Sequence, residues 1–240
     1  VLGFVLTGGG IWNTGYKVIA LIQVVLTVVL VASLPLWKKR EIVIDEKGEA
    51  VPAKALSMKE ILSIKGAKDI MIAFFCYCAL EQTAGLWASS YMVLHKGVPE
   101  EVAASYASMF YIGITIGRFV SGFMTMKWND KQMIRLGMGV VLLGVLVVFL
   151  PMSEYVALLG FILIGLGCAP IYPCIIHSTP DIFGADKSQA IIGVQMASAY
   201  IGSLLMPSVF GILANHISVA LLPLYLLCIL LLMMWMYGGL

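Results

Sequence analysis

Residues 133–151 read MIRLGMGVVLLGVLVVFLP, an apolar run that contains a single charged residue, Arg135. An α-helix needs about 20 consecutive apolar residues to cross the hydrocarbon core of a bilayer, and this run has nearly that length. A strand of a membrane barrel would instead alternate apolar and polar residues over about ten positions. The run therefore predicts a membrane-spanning α-helix.

Similar runs on both sides of this stretch predict an all-α integral membrane protein. Of the 240 residues, 61% are hydrophobic and only 12% are charged, whereas a soluble domain carries about a quarter charged residues. Because the chain starts at Val1, without an initiator methionine or a basic leader, we expect a fragment without a signal peptide. The seven predicted spans are residues 12–37, 69–94, 103–126, 133–151, 155–177, 188–213 and 218–237.

The basic residues predict the orientation of these spans. Twelve of the 15 fall in segments 38–68, 127–135 and 181–187. Loops rich in lysine and arginine stay in the cytoplasm, so we expect the N-terminus outside the cytoplasmic membrane and the C-terminus inside. Within the first segment, residues 57–64 have apolar positions at helical spacing, which indicates either a short helix on the inner leaflet or a simple tether.

The sequence gives no support for an enzyme. The five cysteines all lie in predicted spans, and the three histidines fall on different sides of the membrane, so no metal-ligand spacing exists. No phosphate-binding glycine loop or nucleophile elbow is present. The net charge of +2 does not indicate nucleic-acid binding. We therefore expect no cofactor, no metal and no nucleic-acid partner.

Two features within the spans predict a functional site. Glu81 lies near the middle of its span, where a carboxyl group is expected to face a cavity or a partner and to exchange a proton, although a plain hydrogen bond to a neighbouring helix is the alternative. Pro170 and Pro173 each lack an amide donor, so span 155–177 is expected to kink or break, either around a solute site or as a packing kink. Amide and aromatic side chains near these features are the other candidates for solute contact: Gln82, Trp87, Tyr91, Tyr111, Tyr172, Gln195 and Tyr200.

Small residues predict close packing of one span. Gly113, Gly117 and Ser121 follow one another at intervals of four residues and form a stripe on one face of the third span. Such stripes let a neighbouring helix approach closely. We expect a tight helix crossing there.

Several of these motifs resemble a known family. The run Glu81-x-x-x-Gly85-x-Trp87-x-x-x-Tyr91 resembles the seventh helix of fucose-permease-type members of the major facilitator superfamily. Residues 113–122 and 165–173 are similar to helices eight and ten of that fold, and residues 12–16 to the entry of helix six.

The resemblance implies an architecture and an activity. Residues 1–37 would end the N-terminal half, 38–68 would be the cytoplasmic central loop, and 69–240 would form the six-helix C-terminal bundle. The family implies proton-driven uptake of a sugar, with the N-terminal half and the lipid bilayer as partners. Its cytoplasmic gating motif is matched in part by Gly117-Arg118 and Asp130-Lys131, which suggests gating by Arg118 and Asp130 and an ion pair between Arg118 and Asp181.

Three other functions are compatible with the residues. A proton-coupled drug exporter on the same scaffold would have a pocket dominated by aromatic and methionine side chains, and the 14 methionines leave this alternative open, although packing explains most of them. A seven-helix receptor has the same orientation, although no outer-loop cysteines or mid-span lysine support it. An assembly subunit without transport activity is the third.

Overall fold

The computed structural model describes residues 12–33, 43–44, 50–51 and 56–239. The chain divides into two compact units, Val1–Pro52 and Ala53–Leu240. The first unit contains helix α1, Trp12–Ser33, and two short strands, β1 (Val43–Ile44) and β2 (Ala50–Val51). The strands are antiparallel, with Val43 opposite Val51, and the sequence did not predict them. Residues 34–37 of the first predicted span lie outside the described residues.

The second unit is a helical bundle. Its elements are α2 (Met58–Ser63), α3 (Ala67–Leu94), α4 (Glu100–Met124), α5 (Asp130–Phe149), α6 (Glu154–Phe183), α7 (Ala185–His216), a 3-10 turn (Val219–Leu221) and α8 (Leu222–Gly238). Together with α1, the described residues contain seven helices that are long and apolar enough to cross a membrane. The predicted all-α membrane fold is thus confirmed.

Side chains cap the ends of two helices. The Ser57 hydroxyl accepts a hydrogen bond from the backbone N–H of Glu60, and the Glu60 carboxylate accepts one from the N–H of Ser57, so α2 begins at a capping box. Asn129 and Gln132 form the same arrangement at the start of α5. The predicted short helix within residues 57–64 is therefore present, and its Ile61 is buried in the bundle core.

Helix α6 lies between α4 and α5 and packs on both at close range. A Cβ atom on Gly113 would collide with the carbonyl oxygen of Ile162, and one on Gly165 with that of Phe110. On the other side, a Cβ on Gly167 would lie only 2.6 Å from the backbone nitrogen of Val141. The predicted small-residue stripe is confirmed, because Gly113, Gly117 and Ser121 are all buried.

The other large contacts join α3 to α7 and α8. Here too a glycine permits a close approach, since a Cβ on Gly202 would lie 2.6 Å from the carbonyl oxygen of Phe75. The bundle therefore consists of two groups of helices: α4, α5 and α6 form one group, and α3, α7 and α8 form the other. Smaller contacts of α3 with α4 and α6, of α5 with α8 and of α6 with α7 connect the groups.

The sequence predicted a kink or a break at Pro170 and Pro173, and of these two the break is not observed. Helix α6 is continuous from Glu154 to Phe183, with Pro170, Pro173 and Pro180 inside it. Each proline removes one amide donor, but breaking the helix would leave several more backbone groups without partners in an apolar environment. Losing single hydrogen bonds is thus less costly than interrupting the helix.

Candidate functional site

A pocket of about 210 Å³ lies where the two helix groups meet. Four of the predicted candidates for solute contact line it, namely Glu81 and Gln82 from α3, Tyr172 from α6 and Tyr200 from α7. Arg118 from α4 lies in the same wall. The remaining lining residues are Cys78, Met196, Ala199 and Ser203. The pocket thus joins an acid, a base, an amide and several hydroxyl groups.

Helical periodicity explains why α3 and α7 supply most of this wall. Cys78, Glu81 and Gln82 stand three and four residues apart, so they share one face of α3. The α7 residues Met196, Ala199, Tyr200 and Ser203 follow the same spacing. Small side chains at Cys78, Ala199 and Ser203 leave the space between the larger polar ones.

Glu81 is partly buried in this wall. Tyr77, one turn earlier on α3, has its hydroxyl group beside the Glu81 carboxyl group. Within the described part of the chain, no ion pair joins Glu81 to Arg118, although both line the pocket. The two charges are therefore available to separate parts of a bound solute.

Tyr172 is held in place by its neighbours. Its ring packs at 5.0 Å from the ring of Phe74 and 6.1 Å from that of Tyr77, measured between centroids. Its hydroxyl group donates a hydrogen bond to the Met196 sulfur at 3.2 Å. Because the ring is fixed by packing, the oxygen of Tyr172 presents its lone pairs to the pocket in one position.

A larger cavity of about 880 Å³ adjoins the pocket. Arg118 and Tyr172 line both spaces, whereas Asp130, His177 and Asp181 line only the larger one of the two. Nδ1 of His177 lies 2.6 Å from Oδ2 of Asp130. The other residues that line the 880 Å³ cavity are Ser121, Gly122, Thr125, Trp128, Asn129, Pro173 and Cys174.

The expected ion pair between Arg118 and Asp181 is not formed among the described residues. Asp130 pairs instead with His177, which lies one helical turn before Asp181 on α6. Arg118 stands six residues before the end of α4 at Met124, or about 9 Å along the helix, toward the smaller pocket.

Three candidates for solute contact lie away from the pocket. The Trp87 Nε1–H group donates to the carbonyl oxygen of Pro207 at 3.0 Å, and the Tyr91 hydroxyl donates to that of Val148 at 3.3 Å. Gln195 is fully buried, and its amide exchanges hydrogen bonds with the Thr179 hydroxyl at 3.2 and 3.3 Å. These contacts join α3 to α7, α3 to α5 and α6 to α7.

The remaining candidates have other positions. Tyr111 is 51% exposed on α4 and approaches Gly85 of α3, but it does not line the pocket. Pro170 is buried beside Gly137 of α5, whereas Pro173 lines the larger cavity. Cys78 and Ser203 were not predicted to line the pocket, although each lies three residues from a predicted candidate, Glu81 and Tyr200 respectively, and so shares its helix face. Nothing in the sequence pattern indicated His177.

Among the described residues, no group of three or more histidine, cysteine, aspartate or glutamate side chains is arranged to hold a metal ion. The described cysteines are all free thiols. The chemistry of the pocket is therefore that of its charged, amide and hydroxyl side chains.

The profile of the Major Facilitator Superfamily matches residues 70–239. The chain belongs to this superfamily. Major facilitator proteins are transporters and not enzymes, which agrees with the predicted absence of enzymatic activity. The match covers the whole bundle from α3 to α8, and it establishes a multi-pass membrane protein.

Two solved structures and a yeast protein are similar to much of the chain. A crystal structure of the transporter FucP in the outward conformation has a TM-score of 0.70 at 19% identity, covering 90% of this chain and 53% of that one. A variant of the E. coli fucose:proton symporter FucP has a TM-score of 0.66 at 18% identity, covering 89% of this chain and 54% of that one. These TM-scores show a shared fold. "Bypass of stop codon protein 6" of Saccharomyces cerevisiae is 27% identical over 161 residues, covering 62% of this chain and 32% of that protein.

The chain thus spans about half the length of these solved transporters and about a third of the yeast protein. The resemblance to fucose-permease-type members is confirmed at the level of the fold.

Proposed function

We propose that the chain is the C-terminal half, with the preceding helix, of a secondary transporter in the cytoplasmic membrane. Residues 1–37 then end the N-terminal half, 38–68 form the central loop and 69–240 form the transport bundle. The coverage of about half of each FucP chain supports this assignment. The basic segments 38–68, 127–135 and 181–187 support an outside N-terminus and an inside C-terminus.

The solute we propose is a sugar or a related hydroxylated compound, taken up together with a proton. The observation that carries this proposal is the pocket itself, where Glu81, Gln82, Tyr172, Tyr200 and Ser203 face one small space. Amide, carboxyl and hydroxyl groups can each exchange hydrogen bonds with sugar hydroxyls, and tyrosine rings can pack on the C–H faces of a sugar. The fold that the chain shares with a fucose:proton symporter agrees with this reading.

The size of the pocket fits half of a binding site. Small-molecule pockets usually enclose about 300–1,000 Å³, and this one has about 210 Å³. In major facilitator folds the solute is held at the interface between the two halves. The N-terminal half would therefore supply the opposite wall, and the 240-residue chain alone is not expected to transport.

Glu81 is the proposed proton-exchanging group. Its carboxyl group is partly buried in the wall of the 210 Å³ pocket, and an ionisable group within a membrane span usually serves a function there. Arg118, Asp130 and Asp181 line the larger cavity. Their charges are proposed to gate its connection to the cytoplasm.

The test uses the full-length protein in proteoliposomes. Uptake of labelled hexoses is measured with and without an inward proton gradient, for the wild type, Glu81→Gln and a matched control, Glu101→Gln, at an exposed position of α4. Gradient-stimulated uptake that falls only in Glu81→Gln supports the proposal. Uptake that survives Glu81→Gln would assign proton coupling to the N-terminal half.

A second candidate is a proton-coupled exporter of apolar compounds. Met196 lines the pocket, and flexible methionines adapt to varied apolar ligands. This candidate predicts no hexose uptake by the folded protein and proton-driven extrusion of a lipophilic dye. Membership of the superfamily argues against a receptor, and the polar pocket argues against an assembly subunit.

A further inference from the structure

The position of Arg118 bears on the class of solute. Its side chain is exposed on α4 and lines both the 210 Å³ pocket and the 880 Å³ cavity. Among the described residues it forms no ion pair and donates no side-chain hydrogen bond. Placing a guanidinium group at membrane depth costs free energy unless a partner of opposite charge offsets it.

The acids around Arg118 do not supply that partner. Asp130 is bound by His177 at 2.6 Å. Glu81 and Asp181 line the same spaces as Arg118, yet neither is paired with it in the described part of the chain. The guanidinium group is therefore free to bind a negative group that enters the pocket.

We propose that Arg118 binds a carboxylate of the transported solute, so that the substrate class is a hydroxylated organic acid such as a sugar acid. This inference rests on the proposed transport function. The planar guanidinium group donates two parallel hydrogen bonds to a carboxylate, a geometry that a neutral hydroxyl cannot match. Gln82, Tyr200 and Ser203 are placed to bind the hydroxyl groups of the same molecule.

The charge balance of the pocket favours a carboxylate over a phosphate. Arg118 is the only cationic side chain among the residues described as lining the 210 Å³ pocket, and Glu81 is an acid in the same wall. A phosphate monoester carries close to two negative charges at neutral pH. One guanidinium group balances a single carboxylate, while the second charge of a phosphate would face Glu81 without a partner.

The experiment compares matched sugars that differ only at C6, which is a hydroxymethyl group in the hexose and a carboxylate in the uronate. Binding of galactose and galacturonate, and of glucose and glucuronate, is measured by thermal stabilisation of the full-length protein in detergent. We expect the uronates to bind roughly tenfold more tightly or better than the hexoses. Arg118→Gln should abolish that preference, and Arg118→Lys should keep part of it because the charge remains. Lys127→Gln, which removes a cation from the turn after α4 and outside both spaces, should keep all of it.

The contrary outcomes separate the two proposals. Equal binding of both members of each pair, no binding of either, or a uronate preference that survives Arg118→Gln would each overturn the role of Arg118. Proton-driven uptake of a neutral hexose by the wild type, without uptake of the matching uronate, would leave the transport function standing while rejecting this inference. Absence of proton-driven uptake of all four sugars by folded protein would reject sugar transport itself.

Discussion

The imidazole of His177 on α6 lies 2.6 Å, from Nδ1 to Oδ2, from the carboxylate of Asp130 in the first turn of α5. The carboxylate is 19% exposed, whereas the imidazole is 80% exposed beside the 880 Å³ cavity. The pair thus connects two helices that are already in close contact through their glycines. Since exposed ion pairs contribute about 0–1 kcal/mol, packing rather than this pair holds α5 on α6.

A double-mutant cycle tests the size of this contribution. We expect His177→Ala and Asp130→Asn to show a coupling energy below about 1 kcal/mol, because water screens the exposed imidazole. Asp130→Asn alone should lower the free energy of unfolding somewhat more than His177→Ala does, since Asp130 also lies at the positive end of the α5 dipole. The free energy of unfolding is measured by titration with sodium dodecyl sulfate in mixed micelles. A coupling energy above about 2 kcal/mol would contradict the expectation.

The tight crossing of α4 and α6 predicts a position-dependent effect of alanine. Gly113→Ala would place a Cβ atom against the carbonyl oxygen of Ile162, so we expect a loss of about 1–3 kcal/mol in the free energy of unfolding. Gly122→Ala on the same helix meets nothing within 4 Å and serves as the control. Equal stability of the two variants in the same titration would show that the crossing is looser than described.

Trp87 provides a test of packing against solute binding. Trp87→Phe removes the hydrogen bond from Nε1 to the carbonyl oxygen of Pro207 while retaining much of the edge-on contact with Phe210. We expect a loss of about 0.5–1.5 kcal/mol in stability and no change in the apparent affinity for the solute, because Trp87 does not line the pocket. Stability is read from the same denaturant titration and affinity from the proteoliposome assay. A several-fold weaker affinity would instead indicate that Trp87 contacts the solute.

The buried amide of Gln195 predicts an unusual pattern of stabilities. Thr179→Val removes the side-chain partner of a fully buried amide, so we expect a loss of about 1–3 kcal/mol in the free energy of unfolding. Combining it with Gln195→Leu should recover part of that loss, because an apolar pair leaves no buried polar group unsatisfied. Unfolding of the two variants and the wild type is compared under identical conditions. A double variant less stable than Thr179→Val would show that Gln195 has a further role.

The architecture was largely predictable because membrane helices are defined by length and apolarity. The run at residues 133–151 and the helix α5, Asp130–Phe149, agree within three residues at each end. The small-residue stripe at Gly113 also predicted a close helix contact, although not which helix would make it. Proline was less informative, since the backbone of α6 remains helical through Pro170 and Pro173.

The site was predictable only in part. Glu81 and Gln82 were predicted because a polar group at membrane depth costs free energy and usually serves a function. The structure places both in the pocket. Tyr91 and Gln195 carry the same signal, yet their side chains bind other helices. The sequence shows which residues share a face of a helix, but not which face contacts a neighbouring helix. A polar side chain that joins two helices therefore cannot be distinguished, from the sequence, from one that contacts a solute.

The division of the bundle into two groups has a mechanical consequence. Close backbone approaches at glycines pack α4, α5 and α6 into one body, and the close approach at Gly202 packs α7 against α3 in the other. Arg118 and Tyr172 belong to the first body, whereas Glu81 and Tyr200 belong to the second. A small sliding movement along the seam would therefore change the separation of Arg118 and Glu81 without deforming either body.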